Sequence, residues 1–93
     1  MKIRFYIDPI TKEPHIYKHN IYENDVIDIL SHPGEDRKGK NNSRVAIGRT
    51  QTVRYIRVIY VYVSIPESIF VITAYEIKGK TLAAYKRRKK KRG

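Results

Sequence analysis

Between Ser43 and Ile77 the chain runs through three stretches rich in Val, Ile, Tyr and Thr: Ser43 to Arg49, Tyr55 to Val63 and Ser68 to Ile77. β-Branched and aromatic side chains suit the pleated, half-buried surface of a strand. The links, Thr50 to Val53 and the turn at Pro66-Glu67, are far shorter than the roughly twelve residues a parallel crossover needs, so an antiparallel meander is expected. The rest of the chain has to pack against that sheet.

Upstream, Lys2 to Asp8 is extended in character and is closed by Asp8-Pro9, because the residue before proline avoids helical geometry. Pro14 opens a short helical turn through Tyr17 and Lys18, and Asn20 is suited to end it in the left-handed conformation. From Tyr22 to Ser31 the apolar residues Val26, Ile29 and Leu30 recur at three and four, on one helical face, with Glu23, Asn24 and Asp28 turned outward. Glu23 and Asp25 lie in its first turn, where the helix dipole favours negative charge, and His32-Pro33-Gly34 stops it. Gly34 to Asn42 has almost nothing to bury and is expected to be a mobile, exposed loop. Thr81 is suited to cap a last helix running through Leu82 and Tyr85 into a basic run. This order predicts an α+β fold in two layers: a small antiparallel sheet of about four strands with helices packed on one face.

A chain of 93 residues with 41% hydrophobic content is expected to form a single domain over residues 1–85, followed by a basic tail over 86–93. Lys and Arg number 20 against 9 Asp and Glu, and the resulting formal charge of +11 attracts polyanions. Lys86 to Arg92 is an unbroken run of seven basic residues, and subtracting it still leaves +4 on the body. The absence of cysteine excludes disulfides, thiol nucleophiles and cysteine-based zinc sites, and fits a reducing, cytoplasmic location. Met1 to Tyr6 holds no continuous apolar segment, and no run approaches the roughly 20 residues of a membrane span, so no membrane association is expected.

No Gly-rich phosphate loop, Ser-His-Asp arrangement or paired acidic cluster is present, so two-metal hydrolysis has no support. His15 and His19 stand four apart without an evident third ligand, and no metal or other cofactor is expected. RNA cleavage needs neither, because the substrate's own 2′-hydroxyl can attack the adjacent phosphorus if the site positions it and stabilises the developing charge.

Alternation along Arg54 to Val63 leaves one arginine on each mostly apolar face, Arg54 and Arg57. Arginine is suited to bidentate phosphate contact, although a strand arginine can equally carry its head to solvent. Arg44 and Arg49 bracket one strand while Arg49 and Arg54 frame the hairpin, so four arginines including Arg57 are expected to gather at one end as a phosphate site. Lys86, Arg87 and Arg88 extend that basic surface, and Tyr60, Tyr62, Tyr75 and Tyr85 offer faces for base stacking. His19 is a candidate general acid or base.

Four segments, Lys18-His19-Asn20-Ile21, Gly48-Arg49-Thr50, Arg57-Val58-Ile59 and Val71-Ile72-Thr73-Ala74-Tyr75, precede a helix that joins Tyr85 to the basic run. In order and spacing they resemble the BrnT-type toxins and a sister family of uncharacterised domains with a VITAY-like last strand, both grouped with the RelE-like ribonuclease toxins. The likeness covers residues 15–87. Asn20 stands where BrnT-like chains have glycine, Tyr22 where serine is common, and Tyr75 where they carry arginine and the sister family carries tyrosine. The resemblance implies a RelE-like fold and the toxin of a type II toxin–antitoxin system, an endoribonuclease acting on mRNA, free or on the ribosome, and neutralised by a cognate antitoxin.

On that reading His19, Arg57, Tyr75 and Tyr85 form the catalytic set, and Arg44, Arg49, Arg54, Lys86, Arg87 and Arg88 hold RNA. The alternative is a non-catalytic RNA-binding or ribosome-associated protein using the same surface. A third possibility is a domain that binds protein alone, with the basic run merely solvated.

Overall fold

The computed structural model describes residues 2–91. It contains β1 (Lys2–Phe5), a 3₁₀ turn (His15–His19), α1 (Glu23–Ser31), β2 (Glu35–Lys38), β3 (Arg44–Arg49), β4 (Tyr55–Ser64), β5 (Glu67–Glu76) and α2 (Gly79–Lys91). The five strands form one sheet in the order β1-β5-β4-β3-β2. β2 to β5 are an antiparallel meander, whereas β1 lies parallel to β5, with Lys2 opposite Ser68 and Phe5 opposite Val71. The fold is α+β, and the sheet is mixed with five strands where an antiparallel one of four was expected.

The additional strand comes from the stretch expected to be a loop. Glu35–Lys38 has little to bury, but an edge strand tolerates charged side chains, and its backbone pairs with β3 from Glu35 opposite Ile47 to Lys38 opposite Arg44. Asn41 and Asn42, at φ 55° and 64°, turn the chain back, and the Gly39 N–H donates to the Ser43 carbonyl at 2.8 Å. Asparagine tolerates this left-handed conformation better than most residues.

Asn20 ends the 3₁₀ turn at φ 59°, as its side chain suits it to do. In α1 the Asp25 carboxylate accepts the Tyr22 N–H at 2.9 Å, satisfying a donor the helix start leaves open. Val26 and Ile29 are fully buried against Ala46, Ile56, Val58 and Ala74.

Side chains alternate across a strand, so Ile47 points away from the cluster that Ala46 joins. It packs with Ile77 and Tyr85 in a second cluster bordered by Tyr55, Tyr75 and Leu82. The two helices therefore cover opposite faces of the sheet, not one. α2 starts at Gly79, where φ is +57°, two residues ahead of the expected cap Thr81, and continues unbroken through the basic run to Lys91. Arg92, the last residue of that run, lies outside the described residues, as do Gly93 and Met1. No helix among the described residues is long and apolar enough to cross a membrane.

Candidate functional site

The four strand arginines do not converge. Arg44 and Arg49 are five residues apart and Arg54 and Arg57 three, odd intervals that turn each pair to opposite faces. Arg44 and Arg54 lie on the α1 side, where carboxylates hold them. Arg54 Nη2 lies 3.2 Å from Glu76 Oε1, and Nη1 lies 3.5 Å from Asp25 and donates to the Asn20 carbonyl at 2.9 Å. Arg44 Nε donates to Asp36 Oδ1 at 2.9 Å, and the Tyr60 hydroxyl donates to the other oxygen of the same carboxylate at 2.6 Å. Burial and the Asp36 carboxylate push the Tyr60 phenol up to about 12. These two arginines brace the fold.

On the opposite face, Arg57 and Tyr75 are direct cross-strand neighbours. Arg57 Nη1 donates to the Tyr75 hydroxyl at 3.0 Å, and the guanidinium carbon lies 5.8 Å from the centre of the tyrosine ring. His19 meets the same ring edge-on, with centroids 6.3 Å apart, and His15 lies behind it at 5.4 Å. The chain leaving β1 stays beside β5 and then folds back on itself: Tyr6 N–H donates to the Val71 carbonyl and His15 N–H to the Tyr6 carbonyl, each at 2.9 Å. That path sets the 3₁₀ turn beside Tyr75. Arg57 forms no ion pair among the described residues, and its Nε is buried without a hydrogen-bond partner. Three of the four residues expected to be catalytic are thus neighbours drawn from three elements.

Tyr85, the fourth, is an interior side chain of α2, only 4% exposed and edge-on to Tyr55 at 6.1 Å. Burial and the nearby Glu35 carboxylate push its phenol up. It forms one wall of a hollow of about 430 Å³ that is also lined by His32, Arg49, Tyr55, Lys86 and Lys89. Arg54 and Arg57 do not line it. The pocket expected from Arg49, Arg54 and Arg57 together is therefore absent, and two separate cationic positions replace it. Arg88 is turned from the hollow by Glu35, which holds it through Nε at 2.7 Å and Nη2 at 2.9 Å. Arg87 is exposed on α2.

Sequence reasoning passed over Lys89, His32 and Tyr55. The Lys86–Lys89 interval of three, which puts both on one helix face, was a usable signal for the first. It also passed over Asp8, which is buried and accepts Ile10 N–H at 2.8 Å, Thr11 N–H at 3.1 Å and the Lys18 ammonium at 2.7 Å. The Lys18 ammonium and these backbone donors hold its carboxyl well below the usual range. Asp8 and Lys18 anchor the segment that delivers His19. Among the described residues no group of three or more histidines and carboxylates is assembled as a metal site. No family model matches the chain, and neither a curated protein nor a solved structure matches it.

Proposed function

We propose that this protein is the toxin of a type II toxin–antitoxin pair, a RelE-like, BrnT-type endoribonuclease that cleaves RNA in the cytoplasm without a metal. The reading rests on one observation: Arg57, Tyr75 and His19 meet on the sheet face away from α1, and no carboxylate among the described residues pairs with the arginine. A phosphodiester placed there would have its developing negative charge met by the guanidinium. His19, exposed to solvent, would take the proton from the 2′-hydroxyl as that oxygen attacks phosphorus. Tyr75, oriented by Arg57, would return a proton to the departing 5′-oxygen. The P–O5′ bond breaks as the 2′-oxygen–phosphorus bond forms, leaving a 2′,3′-cyclic phosphate and a 5′-hydroxyl. A cognate antitoxin fits the charge pattern, because an acidic segment is the natural cover for a chain of +11.

The test is inducible expression in a bacterium, followed by examination of total RNA, with Arg57→Ala as the comparison. Arrested growth and fragments ending in cyclic phosphate are expected from the wild type alone. Normal growth and intact RNA, with soluble protein confirmed, would overturn the proposal.

The hollow under α2 favours the second reading, an RNA-binding or ribosome-associated protein without catalysis, since Arg49, Lys86 and Lys89 form a cationic site without Arg57. Binding of RNA by purified protein with no cleavage product selects it.

A further inference from the structure

Among the described residues Lys18 meets the carboxylate of Asp8, Arg44 that of Asp36, Arg54 that of Glu76, and Arg37 and Arg88 that of Glu35. Arg49, Lys86 and Lys89 meet none among the described residues, although all three line one hollow. Like charges gathered without a counter-charge repel, and an anion between them removes the repulsion.

The arrangement is built rather than incidental. Lys86 and Lys89 are three apart on α2 and share a face, while Arg88 between them is drawn to Glu35. Arg49 stands opposite Tyr55 in the β3–β4 register. The Tyr55 ring supports the Lys86 ammonium at 5.0 Å, so an aromatic face, not a carboxylate, holds that charge in place. A hollow of about 430 Å³ is roomy enough for a nucleotide unit, and its tyrosine walls suit unpaired nucleotides. Tyr55 and Arg57 share a face of β4 two residues apart, a separation of about 7 Å along the strand.

We infer that the hollow between α2 and the end of β3 is a second phosphate subsite, which grips a backbone phosphate of single-stranded RNA other than the one at Arg57. The inference rests on the RNA reading above and adds to it where the strand is held beyond the reacting bond. Arg49, Lys86 and Lys89 supply the charge, and His32 borders the same anion position.

The probe is a short single-stranded oligoribonucleotide with 2′-O-methyl groups, which cannot be cleaved, titrated against the full chain over a range of salt. Arg49→Ala/Lys89→Ala is expected to bind it about tenfold or more weakly at physiological salt, and to lower the salt slope by about 0.7 per cation removed. On cleavable RNA the loss is expected in KM with kcat kept. Lys80→Ala removes the same kind of charge from the same helix without touching the hollow, and is expected to lose less than half as much per charge. Equal losses for Lys80→Ala and Lys89→Ala would show diffuse attraction and overturn the subsite. Binding of a nucleoside monophosphate as tight as that of the oligonucleotide would assign the hollow to a small phosphate ligand and overturn it as well. Unchanged binding by folded Arg49→Ala/Lys89→Ala, with wild-type affinity and cleavage intact, defeats the subsite alone. A wild type that binds no single-stranded RNA defeats the underlying reading too.

Discussion

Arg88 reaches from α2 to Glu35 on the edge strand β2 as a two-pronged pair, Nε to Oε2 at 2.7 Å and Nη2 to Oε1 at 2.9 Å. Glu35 is 8% exposed, and Arg88 holds it more closely than Arg37 does, whose Nε lies 3.8 Å from Oε1. Arg88→Ala is expected to lower stability by about 1–3 kcal/mol in urea denaturation, because it leaves a buried carboxylate short of its main cation. Arg88→Lys restores only part, since an ammonium cannot reproduce the planar fork. An Arg88→Ala protein as stable as wild type would show that the Arg88–Glu35 pair does not help to seat α2.

The catalytic reading requires Arg57, Tyr75 and His19 to matter for rate more than for folding. His19→Gln is expected to cut cleavage by about 10²–10⁴-fold, in the range for loss of a positioned acid or base. Tyr75→Phe removes the hydroxyl that accepts from Arg57 while keeping the ring beside His19, so its loss falls on kcat. Denaturation midpoints near wild type are expected for both. If the rates stay within about twofold of wild type, on the scale set by such effects, proton transfer does not pass through these groups.

Asp8 ties acid stability to the placement of His19. Its folded carboxyl titrates below the ordinary range, with the hydrogen bond from Lys18 as the largest cause. The stability it contributes is therefore fully present above the unfolded value of 3.8 and is lost as the pH falls below that value towards the folded one. Asp8→Asn is expected to destabilise the protein at neutral pH and to flatten the fall in urea midpoint on acidification. Parallel pH profiles for the variant and wild type would mean that Asp8 is not held in this way.

α1, the β3–β5 meander and the turn at Asn20 were legible because their signals are local: a period near 3.6, β-branched runs with short links, and a residue that tolerates positive φ. β2 was not, since Glu35–Lys38 gains order from pairing with β3 and carries no apolar pattern of its own. Nor was the parallel docking of β1, which depends on a partner more than sixty residues away. The separation of the arginines was latent in the odd intervals from Arg44 to Arg49 and from Arg54 to Arg57. What emptied the expected pocket is a tertiary choice: Arg54 is claimed by Glu76 across the sheet, an attachment that no local rule announces.

Gly34 and Tyr85 give a sharp test of how α2 meets the sheet. A Cβ built on Gly34 would overlap the Tyr85 hydroxyl and lie 3.4 Å from the Ile47 carbonyl oxygen, so the glycine makes room for a buried ring. The Gly34 N–H also donates to that carbonyl at 2.9 Å, which fixes the backbone and leaves the ring to move. Gly34→Ala is therefore expected to cost about 1–3 kcal/mol, the usual range for overpacking. Tyr85→Phe removes the nearer of two crowding atoms and leaves the ring carbon at 3.1 Å, so in that background the same substitution is expected to cost less. The urea midpoints of the four proteins check this: additive costs would show that the strain at Gly34 does not come from the phenol, and that the helix is seated by other contacts.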